Sequence, residues 1–300
     1  MPTNTIERRM IMYAITGITG KVGGELARTL LAAREPVRAV VRDAKKGQKW
    51  AALGCEVALA EMEDASALAD AFTGATAVFI LPPAQFDPEP GYPEARAVIN
   101  SVVEALRAAK PARILFLSTI GADAEQENLL SQRGMMEAAL RELQIPLTIL
   151  RPAWFIDNAT WDVASARGTG LIHSFLQPTD KAFPMVAAKD VGRTAAELIR
   201  EDWTGTRIVE LEGPRRITPN NLADAFASVL GKPVRTVAVP RDSWAALFRS
   251  QGMRNPEPRM RMLDGFNEGW IEFEDGGSKA IKGSTNAVDV IAALVANREP

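Results

Sequence analysis

The chain has 300 residues, 47% of them hydrophobic and 24% charged, enough apolar material to fill the core of one large domain or of a large domain with a smaller one. Lys+Arg 35 against Asp+Glu 37 leaves a net charge of −2, which excludes a global basic field for recruiting nucleic acid or an acidic membrane surface. A single cysteine, Cys55, excludes an intramolecular disulfide, and a single histidine, His173, with no clustered ligand spacing argues against a dedicated transition-metal site.

The N-terminus, Met1 to Arg9, is polar and lacks a signal-type apolar core, and no run of eighteen apolar residues follows. The expected location is the cytoplasm, with no membrane contact. An apolar run from Met10 to Ala14 predicts the first strand. Directly after it stands Ile15-Thr16-Gly17-Ile18-Thr19-Gly20-Lys21-Val22-Gly23-Gly24. Glycines at 17, 20 and 23 suit a nucleotide-binding turn: one allows a tight reversal, one lets backbone approach a pyrophosphate, and one lets helix and sheet pack closely. The helix expected from Lys21 to Ala33, with Val22, Leu26 and Leu30 on its apolar face, would aim its free N–H groups at that pyrophosphate.

The next strand, Val37 to Val41, ends in Arg42-Asp43, where a βαβ unit meets the adenosine ribose. An acidic residue there favours NAD, and an arginine pairs with the 2′-phosphate of NADP. Arg42, followed by Lys45 and Lys46, points to NADP(H) as the preferred cofactor. A shift of one residue would put Asp43 on the ribose and keeps NAD(H) open, and the same residues also read as a solvated charge cluster.

Cys55 opens a run to Ala60 and reads as a small buried hydrophobe. Strand-like runs at Glu56 to Leu59, Ala77 to Leu81, Ile114 to Leu117 and Leu147 to Leu150 alternate with helices near Ala65 to Phe72, Glu94 to Ala109 and Met135 to Leu143. This alternation predicts an α/β fold: a Rossmann doubly wound parallel sheet in strand order 3-2-1-4-5-6. Ligands bind such sheets beyond the carboxyl ends of the strands, so Gly17 to Val22, Arg42, Glu61 to Asp64, Leu81 to Pro83, Ser118 to Gly121 and Arg151 to Asn158 form one candidate rim.

Past Arg151-Pro152 the alternation weakens and tryptophan becomes frequent. Residues 1–152, with a return of 186–212, are expected to form the nucleotide-binding domain. Residues 153–185 and 213–300 form a smaller, discontinuous C-terminal substrate subdomain. The return carries a helix over Val186 to Ile199 with Asp190 as N-cap, and a strand from Arg207 to Leu211. Thr218-Pro219-Asn220-Asn221 starts a helix running to Leu230 and stopped by Gly231 and Pro233. Arg254 to Arg261 reads as a solvated loop, and Gly276-Gly277 as a mobile turn before a last helix, Ala287 to Ala296.

TGITGKVGG at 16–24, VVRD at 40–43, Pro82-Pro83, LSTIGA at 117–122, LTILRPAWFIDN at 147–158 and AAKDVGRTAAELI at 187–199 together resemble the NmrA-like branch of the atypical short-chain dehydrogenases/reductases. Related groups are the NADPH-dependent quinone reductases and isoflavone-reductase-like enzymes. The resemblance spans nearly the whole chain. It implies pyrophosphate contacts from Gly17, Thr19, Gly20, Lys21 and Val22, and 2′-phosphate contacts from Arg42 and Lys46. It also implies adenine near Glu61, Met62 and Glu63, the ribose–nicotinamide side near Leu81, Pro82 and Ser118, and the nicotinamide amide near Pro152 to Phe155.

The departure from the resemblance is chemical. Active classical and extended members pass a proton through a Tyr-x-x-x-Lys pair. This chain has two tyrosines, Tyr13 and Tyr92, followed four residues on by Gly17 and Arg96. At the matching place, the segment 127–143 carries Leu129 and Arg133. A guanidinium stays protonated and cannot act as a base, so Arg133 reads either as a ribose contact or as a surface partner of Glu137.

Three residues are candidates for catalysis. Arg133 is one; Ser118, with its neighbour Thr119, could orient a carbonyl or simply cap a turn; His173 is a neutral-pH acid/base or plain polar surface. Trp154, Phe155 and Asn158 are the candidate substrate pocket, or domain-interface packing. Trp161, Phe175, Phe266 and Trp270 read as core. Glu61, Glu63 and Asp64 read as adenine contacts and N-terminal helix charges, with Asp64 or Ser66 as the cap.

The expected activity is NADPH-dependent reduction of a quinone-like, conjugated or aromatic small molecule held against the nicotinamide. Water would supply the proton. The alternative is an NADP(H)-binding redox-sensing regulator with a protein partner and no turnover. The expected assembly is a monomer or homodimer.

Overall fold

Eight parallel strands form the central sheet of the computed structural model, which describes residues 11–296. The polar N-terminus read above lies outside the described residues. In chain order the first six strands are β1 (Tyr13–Ile15), β2 (Val37–Val41), β3 (Glu56–Leu59), β4 (Ala77–Ile80), β5 (Arg113–Leu117) and β6 (Leu147–Pro152). They stand as 3-2-1-4-5-6, the order that the alternation predicts.

Period-two patterning divides the strands between two cores. Tyr13, Ile15, Phe79, Leu115 and Leu117 face one side of the sheet. Ala14, Val78, Ile80, Ile114 and Phe116 face the other. The first side is covered by α1 (Lys21–Ala32), whose Leu26 and Leu30 are fully buried. The second is covered by α3 (Ala65–Phe72), α4 (Pro93–Ala109) and α5 (Ser131–Arg141).

Between β2 and β3 lies α2 (Ala44–Ala52), which occupies the expected charge cluster. Asp43 caps it by accepting from Lys45 N at 2.8 Å.

Beyond β6 the chain makes β7 (Trp154–Phe155), a 3₁₀ stretch over Ile156–Asp162, α6 (Val163–Thr169), β8 (Leu171–Ser174) and β9 (Met185–Val186). It then returns to the sheet through α7 (Ala188–Leu198), packed on α1, and β10 (Thr206–Glu212), paired with β6. Asp190 is not the N-cap of α7. It is buried and accepts from Ser284 N, Thr285 N and Thr285 Oγ1 at 2.9, 2.8 and 2.7 Å. The cap comes instead from Asp157, whose carboxylate accepts from Ala188 N at 2.8 Å.

The rest of the chain forms α8 (Pro219–Leu230), β11 (Arg235–Ala238), α9 (Trp244–Ser250), α10 (Glu257–Glu268), β12 (Ile281–Lys282) and α11 (Ala287–Ala296). Thr218 and Asn221 close a capping box at the start of α8, as the sequence predicts. Two expectations fail here. The arginine-rich 254–261 segment is largely helix α10 rather than a solvated loop. The Gly276-Gly277 turn is tied down, since Arg216 donates to Gly276 O at 2.7 Å and also pairs with Glu272.

β12 then adds an eighth strand beside β10, too short to show in the sequence pattern. Among the described residues, no helix is long and apolar enough to cross a membrane.

Candidate nucleotide and acceptor cleft

One cleft of about 710 Å³ runs along the carboxyl ends of the strands. Its first end is built on the glycine turn. Gly17 has φ +63°, and a Cβ there would lie 2.8 Å from Leu81 Cδ2. A Cβ on Gly23 would lie 2.5 Å from the Gly17 carbonyl oxygen, so only glycine lets the turn fold back on the helix. Thr16 latches β1 to the strand beside it: its hydroxyl donates to Phe79 O at 3.1 Å and accepts from Leu81 N at 2.8 Å. Sequence reasoning assigned Thr16 no role.

At the N-terminus of α1 no side chain caps the helix and no acid stands in the first turn. The main-chain N–H groups there are left to an anion.

Thr19 and Gly20 line the cleft together with Arg42, Lys46, Glu61 and Met62. Lys21 and Val22 do not bring their side chains to it. The Lys21 amine pairs with Asp157 at 3.0 Å, and Val22 is buried in the core. Only their backbone can serve a pyrophosphate. Asp43 is occupied in capping α2, whereas Arg42 and Lys46 stand exposed on the rim. All three residues line the cleft, and the Asp43 carboxylate is the one already engaged by the protein's own backbone. Asp64 caps α3 by accepting from Ala67 N at 2.9 Å, which leaves Glu61 and Glu63 on the cleft wall.

Leu81, Pro82, Ser118 and Arg133 line the cleft as well. The Ser118 hydroxyl donates to Glu137 Oε1 at 2.5 Å. Glu137 is in turn held by Arg151, through Nε at 2.9 Å and Nη2 at 2.6 Å, and Arg151 also pairs with Asp123. A hydroxyl has one proton. With that proton given to a carboxylate, Ser118 offers the cleft a lone pair rather than a donor, so it cannot polarise a carbonyl.

Arg133 does not pair with Glu137. Its Nη2 donates to Pro82 O at 3.2 Å, and burial pulls its guanidinium down to about 10, still protonated at neutrality. Leu129, at the place of the missing tyrosine, is buried against the same wall. Neither Tyr13 nor Tyr92 lines the cleft. Tyr92 is buried, its hydroxyl donating to Asn128 O at 3.0 Å.

The far end is aromatic. Pro152, Trp154, Phe155 and Asn158 line it. Trp154 meets Phe266 edge to face at 5.3 Å, and Phe175 packs at 5.1 Å on Phe248 and 5.6 Å from Trp244. Phe266 and Phe175 thus serve both core and cleft. Trp161 was expected in the core but is 63% exposed at the cleft mouth, while Trp270 packs against the core.

His173, the exposed residue of β8, lines this end. Its main-chain N–H bonds the Asp162 carboxylate, yet burial outweighs that bond and lifts the Asp162 carboxyl to about 6. Asp162 and Arg259 both line the cleft and both escaped sequence reasoning. A lone carboxylate after an irregular turn, and an arginine among prolines, carry no periodic signal.

Comparison with known proteins agrees with this geometry. A family model described as NAD(P)H-binding matches residues 17–202. An NAD(P)H azoreductase of Xenophilus azovorans is 24% identical over 259 residues, 86% of this chain and 85% of that protein. Quinone oxidoreductase 2 of Escherichia coli K12 is 27% identical over 244 residues, 81% of this chain and 82% of that one.

Among solved structures, an NADPH-dependent quinone oxidoreductase from Escherichia coli complexed with NADPH superposes with a TM-score of 0.78 at 25% identity. The match covers 94% of this chain and 99% of that one. A Citrobacter triphenylmethane reductase complexed with NADP(H), at 22% identity and TM-score 0.75 over 95% of this chain and 100% of its own, shares the fold. With the model matching well over half its length, the chain belongs to the NAD(P)H-binding family.

Proposed function

We propose that the protein is an NADPH-dependent reductase of a quinone or similar conjugated, aromatic acceptor. What supports this reading most is a single continuous cleft that joins the glycine turn and Arg42 at one end to Trp154, Phe155 and Phe175 at the other. A sensor needs the first end and has no use for the second. The names of two relatives, a quinone oxidoreductase and an azoreductase, point the same way.

The chain's residues fit such a cofactor. The uncapped N-terminus of α1 and the backbone of Gly17 to Val22 would hold the pyrophosphate, and Arg42 with Lys46 the 2′-phosphate. Ser118, Arg133 and Pro152 to Phe155 would position the nicotinamide side. When bound, NADPH supplies the hydride, two electrons and one hydrogen. The aromatic walls at Trp154, Phe155 and Phe175 would hold a flat acceptor near it, so that positioning would do most of the work. An acceptor that has taken the hydride is an anion and needs one proton; the Asp162 carboxyl, lifted to about 6, would give it and regain one from bulk water. Residues 1–152 with 186–212 would then be the cofactor side, and 153–185 with 213–300 the acceptor side.

The test is fluorescence titration with NADPH and NADH, followed by a panel of quinones in the same cuvette. The expected result is tight NADPH binding with acceptor-dependent oxidation. Arg42→Asp should weaken NADPH binding by about tenfold or more and NADH binding little, as one lost charge-assisted pair implies. Equal loss for both would remove Arg42 from the 2′-phosphate. Tight binding with no oxidation of any acceptor would transfer the reading to the redox sensor.

A further inference from the structure

The acceptor end carries one fixed charge among apolar walls. Helix α10 lays Arg259, Met262, Leu263 and Phe266 along the cleft, at i, i+3, i+4 and i+7. The guanidinium of Arg259 sits 4.5 Å over the Phe248 ring and 6.0 Å from the Trp161 ring. Its one hydrogen-bond partner among the described residues is Met253 Sδ, at 4.0 Å.

Three other arginines of the C-terminal region are paired with acids. Arg241 is forked onto Asp264 at 2.6 and 2.7 Å, Arg254 pairs with Glu89 at 2.8 Å, and Arg216 with Glu272 at 2.7 Å. Among the described residues Arg259 has no such acid, and the loss of water around it lowers its proton affinity. A guanidinium does not escape that cost by losing its proton. The one carboxyl on this stretch of cleft wall is Asp162, and among the described residues no ion pair joins it to Arg259. The charge therefore lacks a paired counter-ion among the described residues.

The geometry points to Arg259 as an anion subsite: the cleft takes aromatic acceptors that carry an oxyanion, a carboxylate or sulfonate, in the plane of the ring. The aromatic body would lie among Trp154, Phe175 and Phe266, with the oxyanion in the guanidinium fork. This rests on reading the far end of the cleft as the acceptor site.

The test separates binding from turnover. Calorimetric titration of the NADP⁺-saturated protein uses naphthalene-2-sulfonate, 2-naphthoate and the uncharged 2-naphthol, none of them a hydride acceptor. The sulfonate and the naphthoate should bind about tenfold tighter than the naphthol. Arg259→Met should remove that preference and leave naphthol affinity within about twofold. Arg259→Lys, which keeps the charge and loses the fork, should retain part of it, and it carries the test if the methionine variant melts early. Equal affinity for all three ligands in the native protein, or a preference unchanged in both variants, overturns the subsite.

Quinone turnover is measured separately on the native protein. Loss of the preference in the variants with no turnover on any quinone would keep the subsite and discard the reductase. Turnover without the preference would do the reverse.

Discussion

Asp162 is a case in which position, rather than type, sets what a residue does. In an unfolded chain its carboxyl titrates in the ordinary aspartate range, and in the fold burial lifts it to about 6. A carboxyl raised on folding favours the native state while both forms are protonated, and that advantage is lost as pH rises through the folded value. The native protein should therefore lose stability between about pH 4 and pH 6. Asp162→Asn should be about 1–2 kcal/mol more stable than the native protein at pH 8, after allowing for screening at a half-buried site. At pH 4 the gain should vanish, and chemical denaturation at the two pH values measures it. A difference that stays constant would mean that the carboxyl is not desolvated.

At this scale the sequence was legible where position depends on spacing, as in the glycine turn of Gly17 and Gly23 and in the place of Arg42 on the cleft. It was illegible where chemistry depends on neighbours brought from elsewhere, as at Asp162, at Arg259 and at Ser118, whose proton goes to Glu137.

Elements were legible in proportion to their regularity. The first six strands, and α1, α3, α4 and α8, follow from apolar periodicity and their capping residues. Others did not, among them α2, α10 and β12. Charged residues in α2 hid the Asp43 cap, prolines at the start of α10 read as loop although that is where a helix accepts them, and β12 has too few residues for a pattern.

Helix α5 shows how an element can be placed by one missing atom. A Cβ on Gly134 would lie 2.1 Å from the Ala122 carbonyl oxygen, so this helix reaches the sheet end only with glycine there. Arg133 and Glu137 ride on it. Gly134→Ala should cost about 1–3 kcal/mol by overpacking. It should also disturb both residues, since they move with the helix. Gly168→Ala, in α6 with nothing within 4 Å of its would-be Cβ, should be neutral or slightly stabilising, by up to about 1 kcal/mol. Urea midpoints of the two variants compare them directly. A harmless Gly134→Ala would mean that α5 has slack to retreat.

In the whole molecule, the two ends of the cleft hang on shared supports. Asp157 joins the start of α1, through Lys21, to the start of α7. Asp190 fastens residues 284 and 285 over α7. One apolar core runs from Ile15 and Leu26 through to Trp244 and Phe266, so a cofactor bound at the glycine turn stabilises the fold that also shapes the acceptor end. A ligand that binds only the native state at 100 times its Kd adds about 2.7 kcal/mol, a rise in melting temperature on the order of 5 °C or more for a chain of this size. Arg42 and Arg259 share no partner, and their contributions should add independently. NADPH should thus raise the melting temperature of Arg259→Met as much as that of the native protein. At the same concentration, Arg42→Asp should lose most of the rise. If both variants lost it equally, Arg259 would be part of what holds the cofactor, and the cleft could not be divided into a nucleotide end and an acceptor end.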